Sequence, residues 1–266
     1  MTLKNLFIKH KSDKYSHQYY KVYEKYLDKL KKKKLNILEI GVSDGSSMKA
    51  WSEYFTNSKI IGIDIKKIDI KKNKLNKKNI SIHCGSQSDK KFLHLLIKKY
   101  KKFDIIIDDG SHFPKDVIKS FRILFNSLRV NGIYFIEDTQ TSYNHYFGGN
   151  AFDLKFAKTH MNFFKNLTDT INYREIANPF YLQSGYDGHI ENISFFNNMV
   201  VVQKGVNNLK SNLVLNNSYE NKRYNTKVSR GGGKLLYFFK YKIFFNLYTL
   251  ILFSINFLKK IILFRY

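Results

Sequence analysis

The sequence predicts an α/β domain: a doubly wound, mostly parallel sheet with helices on both faces, a late antiparallel hairpin, and a C-terminal apolar and basic helical tail. Three observations predict it. Five short apolar runs recur along the chain with helical periodicity between most of them. The runs are continuously apolar rather than alternating, so both faces of each strand are buried. They also end abruptly in glycine or acid, most sharply in "FDIIIDDGSHFP", residues 103–114.

Residues 16–32 carry Tyr19, Tyr23, Tyr26 and Leu30 at helical spacing, with lysines opposite, and fall in an N-terminal helical segment, 1–34. "LNILEIGV" (35–42) reads as the first strand and opens the main domain, 35–205. "SSMKAWSEYF" (46–55) is a helix with Met48, Trp51 and Phe55 inward and Ser46 as its cap. "KIIGIDI" (59–65) and "ISIHCGS" (80–86) are the second and third strands, and 89–99 is helical. "FDIIIDD" (103–109) is the fourth strand. Pro114 starts a helix in which Val117, Phe121, Leu124 and Leu128 repeat at three and four. "GIYFIED" (132–138) is the fifth strand. Helices around 151–168 and strands near 174–183 and 193–204 complete the domain. Residues 206–233 read as a linker rich in Asn, Ser, Lys and Gly. Residues 234–266 form a basic aromatic tail whose longest uncharged run, Ile243 to Leu258, falls short of the roughly 20 residues a membrane span needs.

The net charge is +25, yet only six of 46 basic residues are arginine. Lys, Asn, Ile, Phe and Tyr are all abundant, which points to compositional drift rather than a polyanion site. Nothing resembles a nucleic-acid motif, and no nucleic-acid partner is expected. The single cysteine, Cys84, excludes an internal disulfide and a thiolate metal cluster. No signal peptide is visible, so a cytoplasmic location is expected.

Ligands of open parallel sheets bind beyond the carboxyl ends of the strands. Strand one ends in Gly41 and Gly45, which let the backbone turn tightly toward a ligand, with Ser46 opening the next helix. Strand two ends in Asp64, placed to accept from ribose hydroxyls. The G-x-x-x-G spacing lacks the phosphate-cradling pattern, which suits adenosine carrying an amino acid, S-adenosylmethionine. Glu39 precedes the loop, and Ser86 and Gln87 follow strand three at the adenine edge. Asp109, Glu137 and Asp138 end strands four and five, about 5 Å apart. Three carboxylates at one mouth call for a cation, and an all-oxygen set favours Mg²⁺. His112 lies on the loop above as a candidate base. Taken singly, each residue has an ordinary alternative: Asp109 capping the helix at 114, Asp138 capping a turn, His112 solvated.

"LEIGVSDGSSMKAW", "IIIDDGSH" and "YFIEDTQTSY" resemble the macrocin and mycinamicin type of sugar O-methyltransferase, a metal-dependent branch of the Rossmann-like S-adenosylmethionine methyltransferases. "KSDKYSHQYYKVYEKYL" and "ISFFNNMVVVQKG" extend the likeness from about residue 10 to 205. One departure is Gly85-Ser86-Gln87, where such sequences often show Gly-Asp-Gln. The resemblance implies metal at Asp109, Glu137 and Asp138, the cofactor beside Asp109, and His112 as general base. It further implies methyl transfer to a sugar hydroxyl, of a nucleotide-activated sugar or a glycan precursor such as a surface-polysaccharide heptose or deoxysugar. Two other readings stay open: a methyltransferase of a non-sugar natural product, and a non-catalytic protein of the same fold. The partners expected are a small-molecule sugar, the inner membrane surface through 234–266, and a second copy of the chain.

Overall fold

A computed structural model describes residues 1–176 and 181–207. Beyond Asn207 the expected linker and tail lie outside the described residues. Seven strands form one sheet: β1 (Asn36–Ile40), β2 (Lys59–Asp64), β3 (Ile80–Cys84), β4 (Phe103–Asp108), β5 (Leu128–Glu137), β6 (Ile190–Phe196) and β7 (Met199–Lys204). Their order is β3-β2-β1-β4-β5-β7-β6. The first five run parallel, and β7 pairs antiparallel with both β5 and β6. The expected doubly wound sheet with a late hairpin is therefore what forms.

The hairpin differs in detail from expectation. The described residues of the segment near 174–183 form no strand; Tyr173–Glu175 is a 3-10 turn, and both strands of the hairpin lie at 190–204. Asn198 makes the turn in the left-handed region at φ 57°. Asparagine tolerates that conformation, so the single apolar run folds back on itself. The helix expected around 151–168 is short, α6 (His160–Asn166), followed by α7 (Thr168–Ile171).

Strand periodicity divides the helices between two faces. Ile37, Ile105, Ile107, Phe135 and Val201 pack under α1 (Leu3–His10), α2 (Tyr20–Leu27) and α3 (Ser46–Tyr54). Leu38, Ile40, Ile61, Ile106, Tyr134 and Val202 pack under α4 (Lys90–Tyr100), α5 (Pro114–Leu124) and α6. On the first face Trp51 meets Phe7 and Tyr23 edge to face, at 5.1 and 4.9 Å between ring centres. Such pairs add about 0.5–1.5 kcal/mol each beyond the area they bury. Leu3, Leu6 and Phe7 of α1 are fully enclosed there. Sequence reading placed α1 within the helical segment 1–34 without giving it bounds, because its apolar face is only three residues long.

Register aligns the functional ends. Ile40 stands beside Asp108, and Asp108 beside Ile136. Gly41, Asp109 and Glu137 consequently sit one step further on, at a common edge. α3 starts at the residue that was expected to cap it. Ser46 is its first residue, Gly45 its cap at φ 76°, and Asp44 accepts from the Ser46 amide.

Candidate active site

The paired acids of "DIIIDDGSH" part company because successive strand residues face opposite ways. Asp108 turns into the α4–α5 face. It is buried and accepts from Ser120 Oγ at 2.6 Å, Gln87 Nε2 at 3.0 Å and Tyr134 Oη at 3.3 Å. Burial pushes its pKa up to about 6, against these hydrogen bonds. Asp109 turns to the α1–α2 face, the same side as Glu39 and Glu137.

On that side the acids meet a lysine. Lys14 lies on the turn between α1 and α2 and is 1% exposed. Its ammonium donates to Asp109 and, at 2.8 Å, to both oxygens of Glu137, and stands 3.5 Å from Glu39. Burial opposes the lysine's charge, but the three carboxylates outweigh it and hold its pKa above the ordinary value. Tyr23 Oη donates to Glu137, and Tyr19 Oη donates to Asp138 at 2.6 Å. The tyrosine stripe is thus core on one side and polar on the other. Sequence reasoning found its helical spacing and missed its hydroxyls; the i, i+4 spacing of Tyr19 and Tyr23 was the available signal. Lys14 carried no signal outside the family likeness.

Burial raises the pKa values of Asp109 and Glu137, with Lys14 opposing. Burial also acts to raise Asp138, but the Tyr19 hydrogen bond and the nearby His112 hold it below the ordinary value. His112 Nε2 is 3.6 Å from Asp138 Oδ2. Both residues adopt left-handed backbone, φ 59° and 52°. That costs roughly 1–2 kcal/mol per residue and is the kind of strain that collects at functional sites. Thr141 Oγ1 donates to the His112 carbonyl at 3.0 Å and pins the loop.

Two adjoining clefts open at this edge. One, of about 240 Å³, is lined by Gly41, Asp64, Ser86, Gln87, Gly110 and Ser111 among others. The second, of about 470 Å³, shares Gly41, Asp64 and Gly110 and adds Ser46, Ser47, Asp109, His112 and Asp138. Asp64 accepts from the amides of Val42 and Ser43 through Oδ2 and of Lys66 through Oδ1. Gly41, at φ 90°, has no room for a Cβ, which would stand 2.0 Å from the Asp109 carbonyl oxygen. Gly110 is equally pressed, 2.0 Å from Gln87 Oε1.

Some expected cofactor residues are placed otherwise. Glu39 is fully buried beneath the clefts, with Ser47 Oγ and Trp51 Nε1 on its two oxygens and its pKa raised by burial to about 7. Gly45 faces Leu75 and serves the start of α3. Gln87 lines the smaller cleft, but its amide is committed: Nε2 to Asp108 and Oε1 to the Ser111 amide at 2.6 Å. Ser86 lines the same cleft and shares a hydrogen bond with Ser88.

The donor set fits a divalent cation. Asp109, His112 and Asp138 offer ligand atoms within 4.8 Å of one another. Glu137 is not part of this triad, and both its oxygens accept from Lys14.

A cleft at the carboxyl edge of a parallel sheet, with glycines on one side and an acid cluster on the other, defines an α/β protein built to hold a nucleoside-type cofactor beside a second reactant. A family model described as FtsJ-like methyltransferase matches residues 17–167, and the chain belongs to that family. It is 33% identical over 193 residues to mycinamicin VI 2''-O-methyltransferase of Micromonospora griseorubida, an alignment covering 70% of this chain and 47% of the relative. It is 32% identical to demethylmacrocin O-methyltransferase of Streptomyces fradiae, over 70% and 48% of the two chains. The MycE methyltransferase from the mycinamycin biosynthetic pathway, solved with Mg, SAH and mycinamycin VI, superposes with a TM-score of 0.73. That match is at 29% identity and covers 79% of this chain and 55% of that one. The chain spans about half the length of these curated relatives. Among the described residues no helix is long and apolar enough to cross a membrane.

Proposed function

We propose that the protein transfers the methyl group of S-adenosylmethionine to a sugar hydroxyl with the help of Mg²⁺. The observation that carries this reading is the convergence of Asp109, His112 and Asp138 on the cleft that Gly41 and Asp64 also line. Asp64, Gly41, Ser86 and Gln87 would hold the adenosine side, and Ser46 and Asp109 the amino-acid side. Asp109 and Asp138 would hold the metal, with Glu137 sharing it from behind. Bound there, a divalent ion supplies a Lewis acid toward the acceptor oxygen.

The chain's own residues do the rest. His112 Nε2 takes the hydroxyl proton. Asp138 Oδ2, 3.6 Å from that nitrogen, stabilises the imidazolium by its charge. The fixed cleft walls align oxygen, methyl carbon and sulfur, an entropic task worth up to roughly 7–11 kcal/mol. S-adenosylmethionine supplies a methyl group already activated by its sulfonium.

Two acceptor classes follow. The first is a nucleotide-activated sugar or an anionic glycan precursor, whose charge Lys11 on the larger cleft would meet. A second class, a glycoside with an apolar aglycone, is favoured by an aromatic rim: Phe147 lies 6.4 Å from the His112 ring and 5.5 Å from Phe113, and Tyr146 beside it is exposed. The curated relatives named above are named as O-methyltransferases of mycinamicin VI and demethylmacrocin. Mass spectrometry of methyl transfer over a panel of nucleotide sugars and aglycone-linked sugars tests the reading. Transfer to neither class, with cofactor bound, sinks it. Peripheral membrane contact rests on the basic residues Lys240, Lys242, Lys259, Lys260 and Arg265 around the apolar run. Cosedimentation of the whole chain with anionic vesicles tests it, and no binding rejects it.

A further inference from the structure

We infer that Lys14 is a positioning residue for the divalent ion. It is the resident counter-cation that gathers Asp109, Glu137 and Glu39 before an ion arrives, and it then shares two of those carboxylates with the ion. The inference rests on the reading of the acidic mouth as a metal site.

The geometry is explicit. An ammonium has three protons, and Lys14 directs them at Asp109 and at both oxygens of Glu137, with Glu39 at 3.5 Å completing the surround. One positive charge therefore faces three carboxylates, and Asp138 stands just beyond, on His112 and Tyr19. Lys14 and Glu137 are both nearly inaccessible, at 1% and 2% side-chain exposure, whereas Asp109 is 20% exposed toward the cleft. Lys14 thus closes the cluster from the floor, and the cleft side is left to an incoming ion.

A fixed position requires a fixed backbone. Lys11 caps α1 in the left-handed region at φ 57°, and the Ser12 amide returns to the Phe7 carbonyl. The Lys14 carbonyl accepts from the Tyr19 amide, which joins the turn to the start of α2. Three buried acids without a cation would repel one another and pay for desolvation unaided. The charge that lets α1 and α2 close over the sheet is the same charge an ion must approach.

Three variants test this by calorimetric titration with Mg²⁺ and by thermal melting with and without it. Lys14→Met keeps the length and removes the charge. Without Mg²⁺ it should melt roughly 10 °C below the natural protein, as expected when one partner of a buried ion cluster is removed. Mg²⁺ should then raise its melting temperature more than it raises that of the natural protein. Its Mg²⁺ Kd should fall about tenfold, because an ammonium a few ångströms from the ion no longer repels it. Lys14→Arg should restore the natural Kd, an outcome that a purely packing role does not require. If Lys14→Met does not fold, the double variant Lys14→Met with Glu137→Gln should fold, because charge is then removed in pairs; a double variant as unfolded as the single overturns the inference. Equal Mg²⁺ affinity and equal melting gain in Lys14→Met and the natural protein also overturn it, while leaving the metal reading intact. Binding by Lys14→Met alone would overturn the sharing, because the lysine would then replace the ion rather than position it. Binding by neither protein sinks both the inference and the metal reading.

Discussion

Asp64 finds its partners 22 and 21 residues back, in the amides of Val42 and Ser43, whereas Glu137 finds Lys14 and Tyr23 across 123 and 114 residues. The two halves of the mouth are built in opposite ways. The glycine half is made of backbone: a tight turn at Gly41, amides gathered on one carboxylate, and Gly110 pressed against Gln87. Its polar groups are satisfied locally and line the smaller cleft. The acid half is made of side chains from five separate places, namely the α1–α2 turn, α2, β1 and the ends of β4 and β5. There the charges are buried and coupled, so each depends on the others. The difference teaches that changes on the glycine half should alter affinity, and changes on the acid half should alter rate, metal binding and stability together.

The largest break should come from the metal. Chelation with EDTA, or Asp138→Asn, should abolish turnover while cofactor affinity, read by calorimetry, stays within a few-fold of the natural value. A chelated enzyme at full rate would remove the metal from the acid half altogether. The strained backbone at Asp138 makes a stability measurement a useful companion, since asparagine tolerates the left-handed region equally well.

His112→Ala comes next and separates base from ligand. The rate should drop by roughly 10²–10⁴, the usual share of a positioned base. Mg²⁺ affinity should change far less than in Asp138→Asn. A collapse of metal affinity instead would make His112 a ligand first, as its place in the triad allows.

On the glycine half, Asp64→Ala should weaken cofactor binding by about 1.5–3 kcal/mol, the range for lost hydrogen bonds to a charged group. Because the carboxylate also ties three amides, the variant should lose melting temperature as well, by a few degrees. A rate defect at saturating cofactor would blur the division between the halves.

The smallest effect should lie outside both halves and sets the baseline. Glu53 on α3 pairs with Lys9, His10 and Lys77 on the surface. Burial acts to raise its pKa, but the lysines and His10 lower it to about 2. A carboxylate lowered on folding stabilises the protein above its ordinary pKa of 4.5, and that contribution fades as pH falls toward 2. Glu53→Gln should therefore cost less than about 1 kcal/mol at neutral pH, with the gap narrowing below pH 4.5. Melting curves across pH check this, and a gap that widens in acid would contradict it.

Much of this was legible in the chain, and the reasons are local. β1, β2, β4 and the second half of β5 announce themselves by nearly unbroken apolar runs, whereas the edge strand β3 alternates and stays part-exposed, and the ends at Gly41, Asp64, Asp109 and Glu137 follow from where those runs stop. Gly41 could be chosen because a turn into a helix needs its freedom. The hairpin was misplaced because one apolar run held both strands, and only the left-handed Asn198 divides it. The cap expected at Ser46 falls one residue earlier because Ser46 gives both its amide and its hydroxyl proton to Asp44.

The sequence by itself determined the sheet, its direction and which residues reach its edge, because hydrophobic periodicity and strand ends depend on near neighbours in the chain. Only the tertiary structure decided how the acids are shared out. It sent Asp108 to Ser120, Gln87 and Tyr134, and Asp109 to Lys14; it buried Glu39 beneath the cleft and committed Gln87 to the loop it supports. The physical reason is that a carboxylate's fate depends on which cation or donor meets it in low dielectric. Those partners come from elements whose distance in sequence leaves no periodic trace.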